Sequence, residues 1–305
     1  MSAQSGILPP ASAHARFVIF NMHELPLDSL KRQLQVLEST RERLRGQHPE
    51  AGLVSVLGFG PALWLNLRNR APRDLHPLVP IRGKQPMPAT GGDVFLHVHS
   101  QRADLCFALA HAFLGPIASE VEILEDVTGF RYMDSRDLTG FIDGTENPIN
   151  GAERARAALI GREDHSFVGG SYVFTQRFVH NTDKWQRLKV DAQEHVIGRT
   201  KLESIELGDD VKPENAHIAR VVIEEDGEEL QIVRHGLPYG NSREAGLFFL
   251  AYTRSTHIID KMLARMFGTT DDGLSDRLLH FTTPVSGAYF FAPAQELLET
   301  LSGPG

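Results

Sequence analysis

Hydrophobic and polar residues recur along the chain with two different periods, and the switches between them mark out its elements. Phe17-Val-Ile-Phe20 is an apolar run of strand length. After Pro26, the positions Leu27, Leu30, Leu34, Leu37 and Leu44 fall on one helical face and predict an amphipathic helix. Residues 53–57 predict a second strand, ending at a Gly58-Phe-Gly60 turn. Val94, Leu96 and Val98 alternate with His97 and His99 as a third. A second helix is predicted over 103–114, closed by Gly115. Strand, helix, strand, strand, helix with antiparallel pairing describes a ferredoxin-like unit, with its helices on one face of the sheet.

The second half repeats this pattern. A constant offset of 153 places Leu105 on Ile258, Leu109 on Met262, Phe113 on Met266 and Gly115 on Gly268. At an offset of 155, Phe17-Val18-Ile19 lies over Tyr172-Val173-Phe174. The expected fold class is therefore α+β, with duplicated ferredoxin-like units forming a two-sheet α+β barrel. Residues 1–150 make the first half and 151–305 the second. A cleft between sheet and helices would suit a flat apolar ligand.

Residues 68–93 hold Pro72, Pro77, Pro80, Pro86 and Pro88, too many for a regular helix or a central strand, and predict an ordered surface loop. Residues 150–166 are read as the connection between halves. With 41% hydrophobic and 23% charged residues, the chain has an ordinary globular mixture, which excludes a fibrous or disordered protein. A net charge of −8 disfavours nucleic-acid binding, which rests on Lys and Arg neutralising phosphates. No apolar run has the length to cross a membrane, and the first residues lack a signal-peptide pattern. The expected address is cytoplasmic. The last residues, Glu299-Thr-Leu-Ser-Gly-Pro-Gly305, carry no long appended tail. The one cysteine, Cys106, excludes an internal disulfide and sits among apolar residues, as a buried small hydrophobe does.

The densest chemistry lies in Gly140-Phe-Ile-Asp-Gly-Thr-Glu-Asn-Pro148, an acidic residue in a glycine-rich turn before a proline. Taken alone, this is a turn: Asp-Gly and Asn-Pro both punctuate chains. The run also resembles the glycine-x-x-aspartate-glycine signature of the dye-decolorizing peroxidases. Ala216-His-Ile-Ala-Arg-Val221, Ile232-Val-Arg-His-Gly-Leu-Pro-Tyr-Gly240, Gly169-Gly-Ser-Tyr-Val-Phe174 and Ile197-Gly-Arg-Thr-Lys201 are similar to further blocks of that family's B-type branch, in the same order.

This resemblance implies a haem b peroxidase acting on hydrogen peroxide and small aromatic donors: phenols, dyes or porphyrins. It makes His217 the proximal iron ligand, Asp143 the distal acid-base residue and Arg234 the distal arginine. It further suggests Gly144, Asn147 and Arg199 as cofactor contacts, the latter two at haem propionates. Phe249, in the apolar segment 247–252, is a candidate lining of the porphyrin face. Asp276 is the candidate hydrogen-bond partner of His217, with Asp271 and Asp272 as rivals. A helix cap is the plainer reading of Asp276.

These residue types suit the chemistry. A carboxylate within reach of peroxide can accept a proton and return it. A permanently charged arginine can orient peroxide and stabilise developing negative charge. It is also expected to hold Asp143 ionised, so that donor oxidation is better at mildly acidic pH. Some B-type relatives carry an asparagine two residues after the arginine, where this chain has Gly236, which leaves Asp143 and Arg234 to act without it. Two other readings stand beside the peroxidase: a haem carrier or sensor with little turnover, and a cofactor-free binding or assembly barrel. Exposed sheet edges would also let copies pair as a homo-oligomer.

Overall fold

A computed structural model describes residues 1–23 and 26–302, so residues 303–305 of the C-terminal segment lie outside the described residues. The first unit comprises β1 (His14–Asn21), helix α1 (Leu27–Gln47), β2 (Val54–Phe59), β3 (Val94–Ser100), helix α2 (Ala103–Leu114) and β4 (Glu122–Phe130). The second holds β5 (Ser171–His180), the short helix α3 (His217–Val221), β6 (Val233–Arg234), β7 (Leu237–Gly240) and β8 (Ala245–Thr253). Helix α4 (Thr256–Phe267), β9 (Thr282–Pro284) and β10 (Ala288–Ala292) complete it.

The spatial order is β2-β3-β1-β4 in the first unit and β6-β8-β5-β10 in the second. In each, the first strand lies between the third and the last, the arrangement of a ferredoxin-like unit, and every ladder is antiparallel. One pair, Phe291 opposite Phe59, joins β10 to β2 and links the two sheets. At the far end β4 meets β7, where a side chain at Gly129 would come within 2.8 Å of Leu237 Cβ. Glycine is what permits that approach. Arg177 of β5 ties the same seam, donating to Glu125 Oε2 at 2.8 Å and to Tyr239 Oη at 2.9 Å.

Strand alternation sorts the core into layers. Phe17 and Ile19 face Val173, Phe248, Leu250 and Phe290 between the sheets. Val18 and Phe20 turn the other way, onto Leu30, Leu34 and Leu37 of α1 and Leu105 and Leu109 of α2. Phe17 and Phe248 stack at 4.3 Å across the two units. Burying such a ring is worth roughly 1.5–3 kcal/mol, so the interior between the sheets holds the halves together. The equivalent outer layer of the second unit packs Phe174, Phe178 and Ala251 against Ile258, Ile259 and Leu263 of α4.

The predicted duplication is present: α2 and α4 begin and end at the same offset of 153. Their glycines differ, however. Gly268 takes the left-handed cap (φ 72°), whereas Gly115 caps α2 at the predicted place but stays helical (φ −51°) and leads into a further turn. The strand predicted to end before Gly58 instead runs through it to Phe59, because Phe290 of β10 packs directly on that glycine. The proline-rich stretch carries a small hairpin, Ile81–Arg82 with Pro86–Met87, and buries Met87 against the second unit. The connection between halves contains a helix, Gly151–Ala158, started by an Asn150–Glu153 capping box. Among the described residues no helix is long and apolar enough to cross a membrane.

Candidate active site

The outer layer of the second unit opens into a cleft that, with its solvent-filled mouth, spans about 1040 Å³. Phe174, Phe178, Leu247 and Phe249 line it from the sheet, and Ile259, Met262, Leu263 and Met266 from α4. Phe249, the candidate lining of a porphyrin face, is thus on the cleft wall beside Met262 and Met266. Asp143, Arg234 and His217, which are far apart in sequence, all reach this cleft. Asp143 and Arg234 also line a second cavity of about 590 Å³, its open mouth included, with Gly144, Asn147 and Gly236, and so form the partition between the two.

Arg234 is the last residue of β6 and pairs with Ala251 of β8. Its backbone is held from the Asp143 loop. Asn147 accepts from the Arg234 N–H at 2.8 Å and donates its own Nδ2–H to the Arg234 carbonyl at 3.0 Å. Both ends of the Asn147 amide are thereby committed to positioning the arginine. Arg234 Nη2 is buried without a hydrogen-bond partner among the described residues.

Burial pushes the Asp143 carboxyl above its ordinary value, against the pull of Arg234, while the Asp137 carboxylate adds to the rise. The expectation that Arg234 would depress it is therefore corrected: desolvation of the carboxylate outweighs the neighbouring cation.

His217 is the first residue of α3. Its Nδ1 lies 2.6 Å from Asp276 Oδ2. Asp276 is fully buried, and its other oxygen accepts the Leu278 N–H at 2.8 Å, capping the turn Arg277–His280. The two readings of Asp276 are both right, because one carboxylate has two oxygens. Burial opposes a charged His217, yet the Asp276 carboxylate prevails and raises its proton affinity. The rival Asp272 instead pairs with Arg220 at 2.8 Å, anchoring α3. With Nδ1–H donated to Asp276, Nε2 is the nitrogen left for the cleft.

Arg199 stands behind the wall of the cleft. It pairs with Glu146, which lines the cleft, and donates to the Ser204 carbonyl at 2.8 Å. Cys106 is buried in the first unit's core, and burial lifts its thiol to about 12, as expected of an inert side chain.

Sequence patterns did not reveal a trio inside the barrel: His97, His99 and His235 are all buried within reach of one another. Their neighbours satisfy most of their nitrogens. His97 Nδ1 meets Tyr252 Oη at 2.9 Å, His99 meets Ser12 Oγ at 2.8 Å and the Gly6 carbonyl at 3.1 Å, and Arg154 donates to His235 Nε2 at 3.1 Å. A guanidinium pointed at the trio opposes a bound cation, so we read these rings as structural. The only advance sign was the polar alternation at His97 and His99.

Comparison with known proteins fits this geometry. The N-terminal model of the Dyp-type peroxidases matches residues 4–131, and the C-terminal model matches residues 134–297. A dye-decolorizing peroxidase of Mycolicibacterium paratuberculosis is 39% identical over 298 residues, covering 96% of this chain and 84% of that one. A dye-decolorizing protein from V. cholerae superposes with a TM-score of 0.92 at 42% identity, over 98% of this chain and 99% of that one. A single-residue variant of DypB from Rhodococcus jostii RHA1, solved in complex with heme, superposes with a TM-score of 0.90 at 36% identity, over 98% of both chains. The chain belongs to the Dyp-type, or dye-decolorizing, peroxidase family and is an enzyme of that class.

Proposed function

We propose that this enzyme holds haem b in the apolar cleft and uses hydrogen peroxide to oxidise phenolic, dye-like or porphyrin donors. The observation that carries the reading is the convergence of His217, Asp143 and Arg234 on one apolar cleft. Three features fit the cofactor. The cleft has walls of aromatic, aliphatic and Met side chains, suited to a flat apolar ligand. His217 has its Nδ1 fixed by a buried carboxylate, as metal-bound histidines do. Arg234 Nη2 is a buried donor that lacks a partner among the described residues. When bound, haem supplies the redox chemistry with peroxide and donor.

The protein's share is proton handling and positioning. His217 would hold the iron through Nε2, while Asp276 keeps the proton on Nδ1 and would make the ring a stronger electron donor. Asp143 takes a proton from one oxygen of peroxide and returns it to the other. Its raised proton affinity makes it a better base than an ordinary carboxylate and moves the acid limit of the reaction upward in pH. Arg234 orients peroxide and stabilises negative charge as the O–O bond lengthens. Asn147 supports this indirectly by fixing the Arg234 backbone, and Arg199 pairs with Glu146 in the cleft wall. Membership of an enzyme family favours turnover over the carrier and empty-barrel readings.

The test is to replace Asp143 with Asn and Arg234 with Leu separately and measure the rate of the peroxide-induced spectral change in haem-loaded protein. Each variant is expected to react about 10²–10³-fold more slowly. Unchanged rates in both would reject the assignment.

A further inference from the structure

The loop that carries Asp143 has an unusual shape. It leaves β4 after Phe130 and folds back, with Arg136 bridging Tyr132 and Ile142. The Asp137 N–H donates to the Phe141 carbonyl at 2.9 Å, and the Asp143 N–H to the Ser135 carbonyl at 3.0 Å. Met133 (φ 46°) and Ser135 (φ 70°) adopt left-handed backbone that side-chain-bearing residues seldom take. Local preference does not produce such a loop, so anchors from elsewhere must hold it.

Asp137, at the centre of the loop, faces β5. Its Oδ1 lies 3.0 Å from His180 Nε2, and its Oδ2 accepts the Thr139 N–H at 3.0 Å. The second ring nitrogen of His180 lies 2.8 Å from Thr282 Oγ1, and Thr282 lines the cleft. Two arrangements fit: the Thr282 hydroxyl donates to Nδ1 of a neutral ring, or it donates to the Val179 carbonyl at 3.4 Å while a protonated ring donates from Nδ1; in both, Nε2–H donates to an ionised Asp137. Trp185 adds a second anchor, donating to the Thr139 carbonyl at 2.8 Å.

We propose that Asp137 and His180 are positioning residues for Asp143: the pair pins the Asp143 loop to β5 and fixes a negative charge close to the reacting carboxyl. The inference rests on Asp143 being the proton-transfer group. Asp143 is faced by Arg234 from β6, by His217 from α3 and by Asp137 from its own loop, while Glu146 and Glu229 line the same cleft. Arg234 pulls Asp143 toward permanent ionisation, which would make it a weak base, and burial already opposes that pull. A fixed like charge opposes it too and keeps the carboxyl able to take a proton.

Infrared pH titration of the haem-free protein tests this without turnover, the Asp143→Asn variant identifying the band of the protonated Asp143 carboxyl. In Asp137→Asn the midpoint of that band moves to lower pH, and in haem-loaded protein the acid limb of the peroxide reaction moves with it. If Asp137→Asn does not fold, the His180 variants decide. His180→Leu removes the donor to Asp137 and slows the peroxide reaction about tenfold or more with the Soret band unchanged, whereas His180→Gln, which keeps a donor, restores it. An unmoved midpoint in Asp137→Asn, or a His180→Leu protein that reacts like the parent, overturns the proposal. Failure of the underlying reading looks different: there Asp143→Asn itself leaves the peroxide rate unchanged.

Discussion

Asp276 meets His217 Nδ1 through one carboxylate oxygen at 2.6 Å and caps the Arg277–His280 turn through the other. Orientation of the His217 ring and local folding therefore share one buried side chain, and the two jobs can be separated by substitution. Asp276→Asn keeps a good cap but loses the charge, so the protein should fold while binding hemin about 10–100-fold more weakly. Asp276→Ala should lose both the affinity and about 1 kcal/mol or more of stability. Hemin titration and thermal melting of the two variants check this.

Asn147 predicts a rate effect from a residue that touches no substrate. Asn147→Ala frees the N–H and carbonyl of Arg234, and leaving such groups unpaired costs about 1–3 kcal/mol each where water cannot reach them. The expected result is a slower peroxide reaction with an unaltered Soret band. A rate equal to the parent's would show that Arg234 is held by its strand alone.

Gly236 predicts that restoring the side chain some relatives carry will not help here. A Cβ at this position would lie 2.9 Å from the Phe248 carbonyl oxygen and 3.2 Å from Phe249 Cα, both backbone atoms of β8. Gly236→Asn should therefore destabilise by about 1–3 kcal/mol through the forced strand shift. Denaturant unfolding of the haem-free protein measures it.

The buried histidine trio predicts acid sensitivity. Burial lowers the proton affinity of His97, His99 and His235, His99 to about 4, and the neighbouring rings and Arg154 lower it further. Each depressed group stabilises the fold fully above the unfolded value near 6.5 and loses that contribution as pH falls toward its folded value. Three such groups give a slope of up to roughly 4 kcal/mol per pH unit below about pH 6. His97→Phe should reduce that slope by about a third, which unfolding at a series of pH values will show.

Much of the fold was legible because its signals are periodic. The leucines of α1 and the offset between α2 and α4 are direct records of which faces are buried. Glycine was harder: Gly58, inside a strand, read as a break, because the contact that fixes its conformation comes from elsewhere. At the site, motif resemblance pointed to Asp143 and Arg234, and both line the cleft, but the direction of the Asp143 shift was not legible. It depends on desolvation, which a sequence does not display. Likewise Asp137 and His180 lie in ordinary-looking segments, and their contact exists only once β5 meets the Asp143 loop.

The central claim is that His217 ligates haem iron in this cleft, and hemin titration of the parent and His217→Ala proteins, followed by Soret absorption, tests it most directly. The account predicts one equivalent bound by the parent with a shifted, histidine-ligated Soret band, and loss of that band in His217→Ala. An identical spectrum and affinity in both proteins would contradict it.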